Sequence, residues 1–167
     1  TLTLGYISDS DLEIGGTDLT VAAKNIAPDL DEDGSPDSDP RIIAIGAGIG
    51  VSGAPAQGLA AGGFLSVNLT SNRTKAFLEQ TAITDTAGGD DLNTSVTSVD
   101  DSGIVAIVGA VGASLNGSAV GAAIGFNLIE NEVLAYLDDA DLATSAGLAI
   151  QSSSDAEIGG VAVGVAV

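Results

Sequence analysis

The feature that most constrains this chain is that it repeats itself. Tyr6-Ile7-Ser8-Asp9-Ser10-Asp11-Leu12 returns as Tyr136-Leu137-Asp138-Asp139-Ala140-Asp141-Leu142. Between them lies Phe77-Leu78-Glu79-Gln80-Thr81-Ala82-Ile83, a weaker copy of the same aromatic–aliphatic–polar–polar–small–x–aliphatic pattern. The intervals are 77 − 6 = 71 and 136 − 77 = 59, and the pairs Asn68/Asn127 and Asn72/Asn131 repeat the shorter step. The surplus of the first interval, 71 − 59 = 12, has a source in the hydrophilic stretch Asp29–Asp39. Self-similarity at a fixed period marks a chain built from stacked units, each unable to bury its apolar side alone.

The order of segments repeats as well. Each aromatic motif is followed by a polar or Gly-rich turn and a short alternating run: Asp18-Leu19-Thr20-Val21, then Asp91-Leu92 onward, then Gly147-Leu148-Ala149-Ile150. An apolar, Gly-punctuated block comes next, at 42–51, 104–111 and 158–167. Val, Ile and Thr in period-two alternation favour strands, and Gly every few residues would cost a helix about 1 kcal/mol each. No segment holds a 3.6 period with caps. The expected fold is therefore all-β: a parallel β-solenoid, or β-helix, of about three copies of a 59-residue repeat. It forms one fragment over residues 1–167, with an acidic loop inserted at about 25–41. Roughly eight short strands fit in each repeat. Three coils per repeat put Tyr6, Phe77 and Tyr136 in one line about 14 Å apart, and two longer coils put them about 10 Å apart. The 26-residue run from Ile104 to Ile129 carries no charge and is expected to lie buried between coils or to join chains.

Composition narrows the chemistry. Twenty-three acidic residues against four basic ones, Lys24, Arg41, Arg73 and Lys75, give a net charge of −19. Such a surface repels phosphate backbones, which argues against nucleic acid, and it favours divalent cations. The chain has no Cys and no His, so disulfides, thiolate sites, the commonest general base and the usual zinc ligands are all missing. At 45% hydrophobic it is too apolar to stay unfolded. Aromatics make up only 3%, which suits tightly stacked sheets lined by Ala, Val and Gly. A start at Thr1 and an end in mid-pattern at Val167 suggest a piece of something longer.

The run Asn127-Leu128-Ile129-Glu130-Asn131-Glu132-Val133-Leu134-Ala135-Tyr136-Leu137-Asp138-Asp139-Ala140 is followed by Ser154-Asp155-Ala156-Glu157-Ile158 and by Val161-Ala162-Val163-Gly164-Val165-Ala166. It resembles repeats of large bacterial filamentous adhesins, the haemagglutinin-like and autotransported β-helix surface proteins. The resemblance covers nearly all of the chain except about residues 25–41. It implies secretion, a β-helix and a place at the cell surface, and it carries over no catalytic residue.

The sharpest local motif is Asp29-Leu30-Asp31-Glu32-Asp33-Gly34-Ser35-Pro36-Asp37-Ser38-Asp39. Its spacing resembles the calcium loops of EF-hands, dockerins and thrombospondin type 3 repeats. Ca²⁺ takes six to eight hard oxygens at about 2.3–2.6 Å, and Asp29, Asp31 and Asp33 converge if the loop bends at Gly34. Ser35 can offer a backbone carbonyl, Asp37 can bind directly or through water, and either Asp39 or a ligand from elsewhere in the chain stands in for the final bidentate Glu, whose place Pro40 occupies. The alternative is a solvated acidic loop. The pairs Asp90-Asp91, Asp100-Asp101 and Asp138-Asp139 could serve as acid and base in a polysaccharide-cleaving β-helix. Each is expected at a turn next to Gly or Ser, with no aromatic sugar platform or Arg nearby in sequence, so a solvated turn is the expected reading. Gly117-x-x-x-Gly121-x-x-x-Gly125 meets the pattern of a membrane helix-packing motif. Asn116, Ser118, Asn127 and the β-branched content argue against a span. Asn68, Asn72, Asn93 and Asn116 open Asn-x-Ser/Thr sequons to which no function is assigned. The expected function is that of a structural or adhesive module in a secreted bacterial surface or filament protein. Its partners would be neighbouring repeats, identical chains, or a host or matrix surface. A polysaccharide-acting enzyme or a membrane-associated glycine-zipper protein is the alternative.

Overall fold

In the computed structural model, residues 1–16, 18–26, 42–53, 58–86, 92–143 and 147–167 are described. Their elements are all strands: β1 (Leu2–Ile14), β2 (Asp18–Asn25), β3 (Ile42–Ser52), β4 (Gly58–Asp85), β5 (Asn93–Ser114), β6 (Gly117–Ala143) and β7 (Leu148–Ala166). The fold is all-β with parallel strands, as the β-branched and Gly-punctuated sequence requires. One sheet has the order β1-β4-β6; in the other, β2 and β3 both pair with β5, and β7 pairs with β5 as well.

The strand registers follow the sequence repeat. β1 runs parallel to β4 from Leu2 opposite Arg73 to Ile14 opposite Asp85. Asn68 meets Asn127, Arg73 meets Glu132 and Phe77 meets Tyr136, so β6 follows β4 at the constant step seen in the sequence. In the second sheet Asn25 lies opposite Asp100 and Ile42 opposite Ile104. The step from Asn25 to Ile42 is 42 − 25 = 17, against 104 − 100 = 4 on β5. The surplus, 17 − 4 = 13, leaves the pairing on both sides intact.

Two expectations need correction. Tyr6 is paired directly with Phe77, and the three aromatic rings stack at centroid separations of 5.1 and 5.0 Å, within 10° and 6° of parallel. One repeat advances by a single strand, not by the two or three coils expected. The strands are also fewer and longer: β4 has 28 residues and β6 has 27. Strands of that length use up a whole repeat before a second circuit could begin.

The chain divides into two compact units. The first comprises Thr1–Ile26, Ser71–Asp101 and Glu130–Asp155. Its core is built on Val21, Leu78, Ile83, Leu92 and Val96, with Ile7, Leu12, Leu137 and Leu142 packed against it. Each aromatic motif sends two aliphatic residues to this core, and they are five positions apart: Ile7 with Leu12, Leu78 with Ile83, Leu137 with Leu142. In a regular strand an odd spacing points side chains to opposite faces. The phase is restored by one residue between them in the left-handed region: Asp9 (φ 47°), Gln80 (φ 49°) and Asp139 (φ 49°). Asp tolerates that conformation better than most residues, which accounts for its place at two of the three sites.

The second unit comprises Ala27–Thr70, Ser102–Ile129 and Ala156–Val167. Here the usual order of sizes is inverted. Along β3 the inward positions include Ala44, Gly46, Gly48 and Gly50, while Ile43, Ile45, Ile49 and Val51 point outward. The small interior is dictated by close approach of the sheets. A Cβ on Gly48 would stand 2.1 Å from the carbonyl oxygen of Gly63, and one on Gly50 would stand 2.0 Å from that of Ala61. The run from Ile104 to Ile129 is correspondingly buried on one face only. Ile104, Ala106, Val108 and Ala110 are buried, whereas Leu115 and Ile124 are exposed.

Candidate functional site

The most developed polar arrangement lies inside the first unit, around Asp100. Alternation along β5 turns Thr94, Val96, Ser98 and Asp100 to the interior, and Asp100 is fully buried. Three side chains converge on its carboxylate. Asn25 Nδ2 on β2 donates to Oδ2 at 2.6 Å, Thr74 Oγ1 on β4 donates to the same oxygen at 3.0 Å, and Asn131 Nδ2 on β6 donates to Oδ1 at 2.8 Å. Ser98 Oγ adds a bond to the Thr74 carbonyl at 2.9 Å. Charge-assisted bonds of this kind are the strong ones, and a buried carboxylate persists only when its oxygens are so engaged. The carboxylate therefore ties both sheets of the unit together. Asn131 Oδ1 is buried without a hydrogen-bond partner and is the acceptor the cluster leaves open.

This arrangement corrects the reading of Asp100-Asp101 as a solvated turn. Both residues belong to β5, and burial of Asp100 follows from the period-two row Thr94, Val96, Ser98 that precedes it. That signal was present in the sequence, masked by the usual preference of paired Asp for turns. Asp138 and Asp139 are exposed and sit at the left-handed kink of β6. The Asp90-Asp91 pair lies outside the described residues, as do the calcium-loop residues Asp29, Asp31, Asp33, Ser35, Asp37 and Asp39. Among the described residues there is no group of three or more His, Cys, Asp or Glu side chains suited to a metal ion.

A second polar group lies on the outer surface of the same unit. Arg73 and Lys75, two apart on β4, share one face, and both pair with Glu132 on β6, Lys75 Nζ at 3.1 Å from Oε1. Hydrogen bonding from Lys75, and then from Arg73, holds the Glu132 carboxyl below its usual value of 4.5. Two of the four basic residues in the chain are thus committed to one acid.

In the second unit, inward Asn68 and Asn127 form an amide pair, with Asn68 Nδ2 donating to Asn127 Oδ1 at 2.8 Å. A half-open cavity of about 190 Å³ lies beside it, lined by Val108, Asn127, Val161 and small neighbours. Gly117, Gly121 and Gly125 belong to strand β6, not to a helix. Positions four apart share a face in a strand as they do in a helix, so the motif is satisfied by sheet packing. Among the described residues no helix is long and apolar enough to cross a membrane. No protein-family model, curated protein or solved structure matches the chain.

Proposed function

We propose that the chain is a structural or adhesive module of a secreted bacterial surface or filament protein, a parallel β-solenoid in which each repeat is one coil. One observation carries this reading: Tyr6, Phe77 and Tyr136 stack in register, so in the sheet β1-β4-β6 one repeat adds one strand. An architecture that grows strand by strand from repeats extends without redesign of its core, and that suits a spacer or display element. The acidic loop at 25–41, with Asp29, Asp31, Asp33, Asp37, Asp39 and the Ser35 carbonyl as oxygen ligands, would bind Ca²⁺ and stiffen in doing so. The buried Asp100 supports a structural role, because its oxygens are engaged by Asn25, Thr74 and Asn131.

The test is retention of beads coated with the chain on host-cell monolayers with and without Ca²⁺, run alongside release of sugar ends from acidic polysaccharides. Calcium-dependent retention above albumin-coated beads, weakened by Asp31→Ala, with no sugar release, is the expected result. Sugar release without retention would favour the polysaccharide-acting alternative.

A further inference from the structure

The outer face of the second unit on β3, β5 and β7 is apolar across all three strands. Ile45 lies opposite Ile107 and Ile49 opposite Val111, and all four side chains are exposed, Ile45 at 77% and Ile49 at 76%. Val167 accepts from Ser114 and donates to Gly112, which places it opposite Ala113 and continues the rows with Val161 and Val165 on β7. Within the described residues of this unit the sole charged side chain is Glu157. The largest apolar patch on a typical monomer measures about 300–600 Å² and is often functional.

The face has relief as well as polarity. Between the rows Ile45–Ile107–Val161 and Ile49–Val111–Val165 runs a row that is low on two strands, Ala47 opposite Gly109, and is closed on β7 by the exposed Val163. Nothing among the described residues requires the glycine. A Cβ on Gly109 would meet no atom within 4 Å, and the backbone there is not left-handed. Glycine weakens a strand interior and often marks a place where another backbone comes close.

We propose that this face pairs with the same face of a second copy of the chain, the aliphatic row of each copy seated in the Ala47–Gly109 valley of the other. On β3 and β5 the relief is self-complementary, because rows on one face of a strand recur about every 6.6 Å and a copy displaced by one row brings ridge over notch. Dry interdigitation of such rows is how stacked sheets join. The area is sufficient. The 11 residues of β3, at about 3.3 Å each, across three strands about 4.8 Å apart give roughly 500 Å² per copy and about 1,000 Å² in all, the lower limit for a specific interface. A lipid surface fits less well, because among the described residues β3 and β7 are sheet edges, and open edges leave backbone groups unsatisfied in hydrocarbon. Face pairing is independent of growth at sheet edges: it joins outer faces, whereas edge addition extends the sheets.

Sedimentation velocity across a concentration series tests this, at low and at high NaCl and with neutral phosphatidylcholine vesicles added. The expected result is a monomer–dimer equilibrium that tightens with salt, since copies of net charge −19 repel until screened. Ile49→Asp should remain monomeric. Gly109→Val should fold and melt at least as well as the wild type, because its side chain enters open space, yet dimerise at least tenfold more weakly. A wild type that stays monomeric, a Gly109→Val that dimerises normally, or an oligomer that survives Ile49→Asp would each overturn the proposal. The last of these would assign association to sheet edges or to the exposed face of β4 and β6, where Leu65 and Phe126 lie. Flotation of monomers with vesicles would assign the face to membrane instead.

Discussion

At the scale of single residues, the first unit is held by polar side chains placed where a core would ordinarily be apolar. Asp100 joins strands from both sheets through Asn25, Thr74 and Asn131. Replacing it with Ala would remove the acceptor of three donors, two of them on the buried residues Asn25 and Thr74, at about 1–3 kcal/mol for each buried one, so Asp100→Ala should lose at least about 2 kcal/mol in denaturant unfolding. A variant as stable as the wild type would show the carboxylate to be incidental. Glu132 offers a test by pH. Its carboxyl is depressed by Lys75 and Arg73, so its contribution is present above the unfolded value and disappears as pH falls through the lower folded one. The melting temperature of the wild type should exceed that of Glu132→Gln at neutral pH, and the gap should close as pH drops well below 4.5. Because the pair is exposed, added salt should narrow the gap as well.

At the scale of elements, glycine spacing decides how near two sheets can come. A Cβ on Gly121 would lie 2.2 Å from the Val165 carbonyl oxygen and 2.8 Å from that of Ala110. Gly121→Leu should therefore overpack the second unit and cost about 1–3 kcal/mol or more. Gly125→Ala should be tolerated, because its nearest contact is Val108 Cγ2 at 3.7 Å. Equal melting of wild type and Gly121→Leu would contradict the close approach. Much of this was legible in the sequence. The aromatic motif, the constant step between its later copies and the small-residue interior all pointed to stacked parallel strands. The length of circuit was not legible, since a period fixes how often a chain returns and not how many turns it makes in between. The inverted face of β3 was hidden for a related reason. Alternating Ile and Gly states the period but not which member faces inward, and only the approach of Gly63 and Ala61 settles it. Asp100 was hidden because its donors come from Asn25 and Asn131, distant in sequence on either side.

At the scale of the whole molecule, the central claim is that one repeat is one added strand per sheet. In a repeat architecture stability is roughly the sum of repeat and interface terms, so repeats can be added without disturbing their neighbours. The surplus of chain between Asn25 and Ile42 already leaves the strand pairing on both sides of it intact. The most direct measurement is the thermal unfolding of a chain carrying a second copy of the repeat from Phe77 to Ala135, inserted directly after Ala135. The account predicts a single cooperative transition at a higher temperature than the parent, with unchanged β-signal per residue in circular dichroism. A lower melting temperature, or loss of cooperativity and β-signal, would show that the three copies are parts of one closed fold and would contradict it.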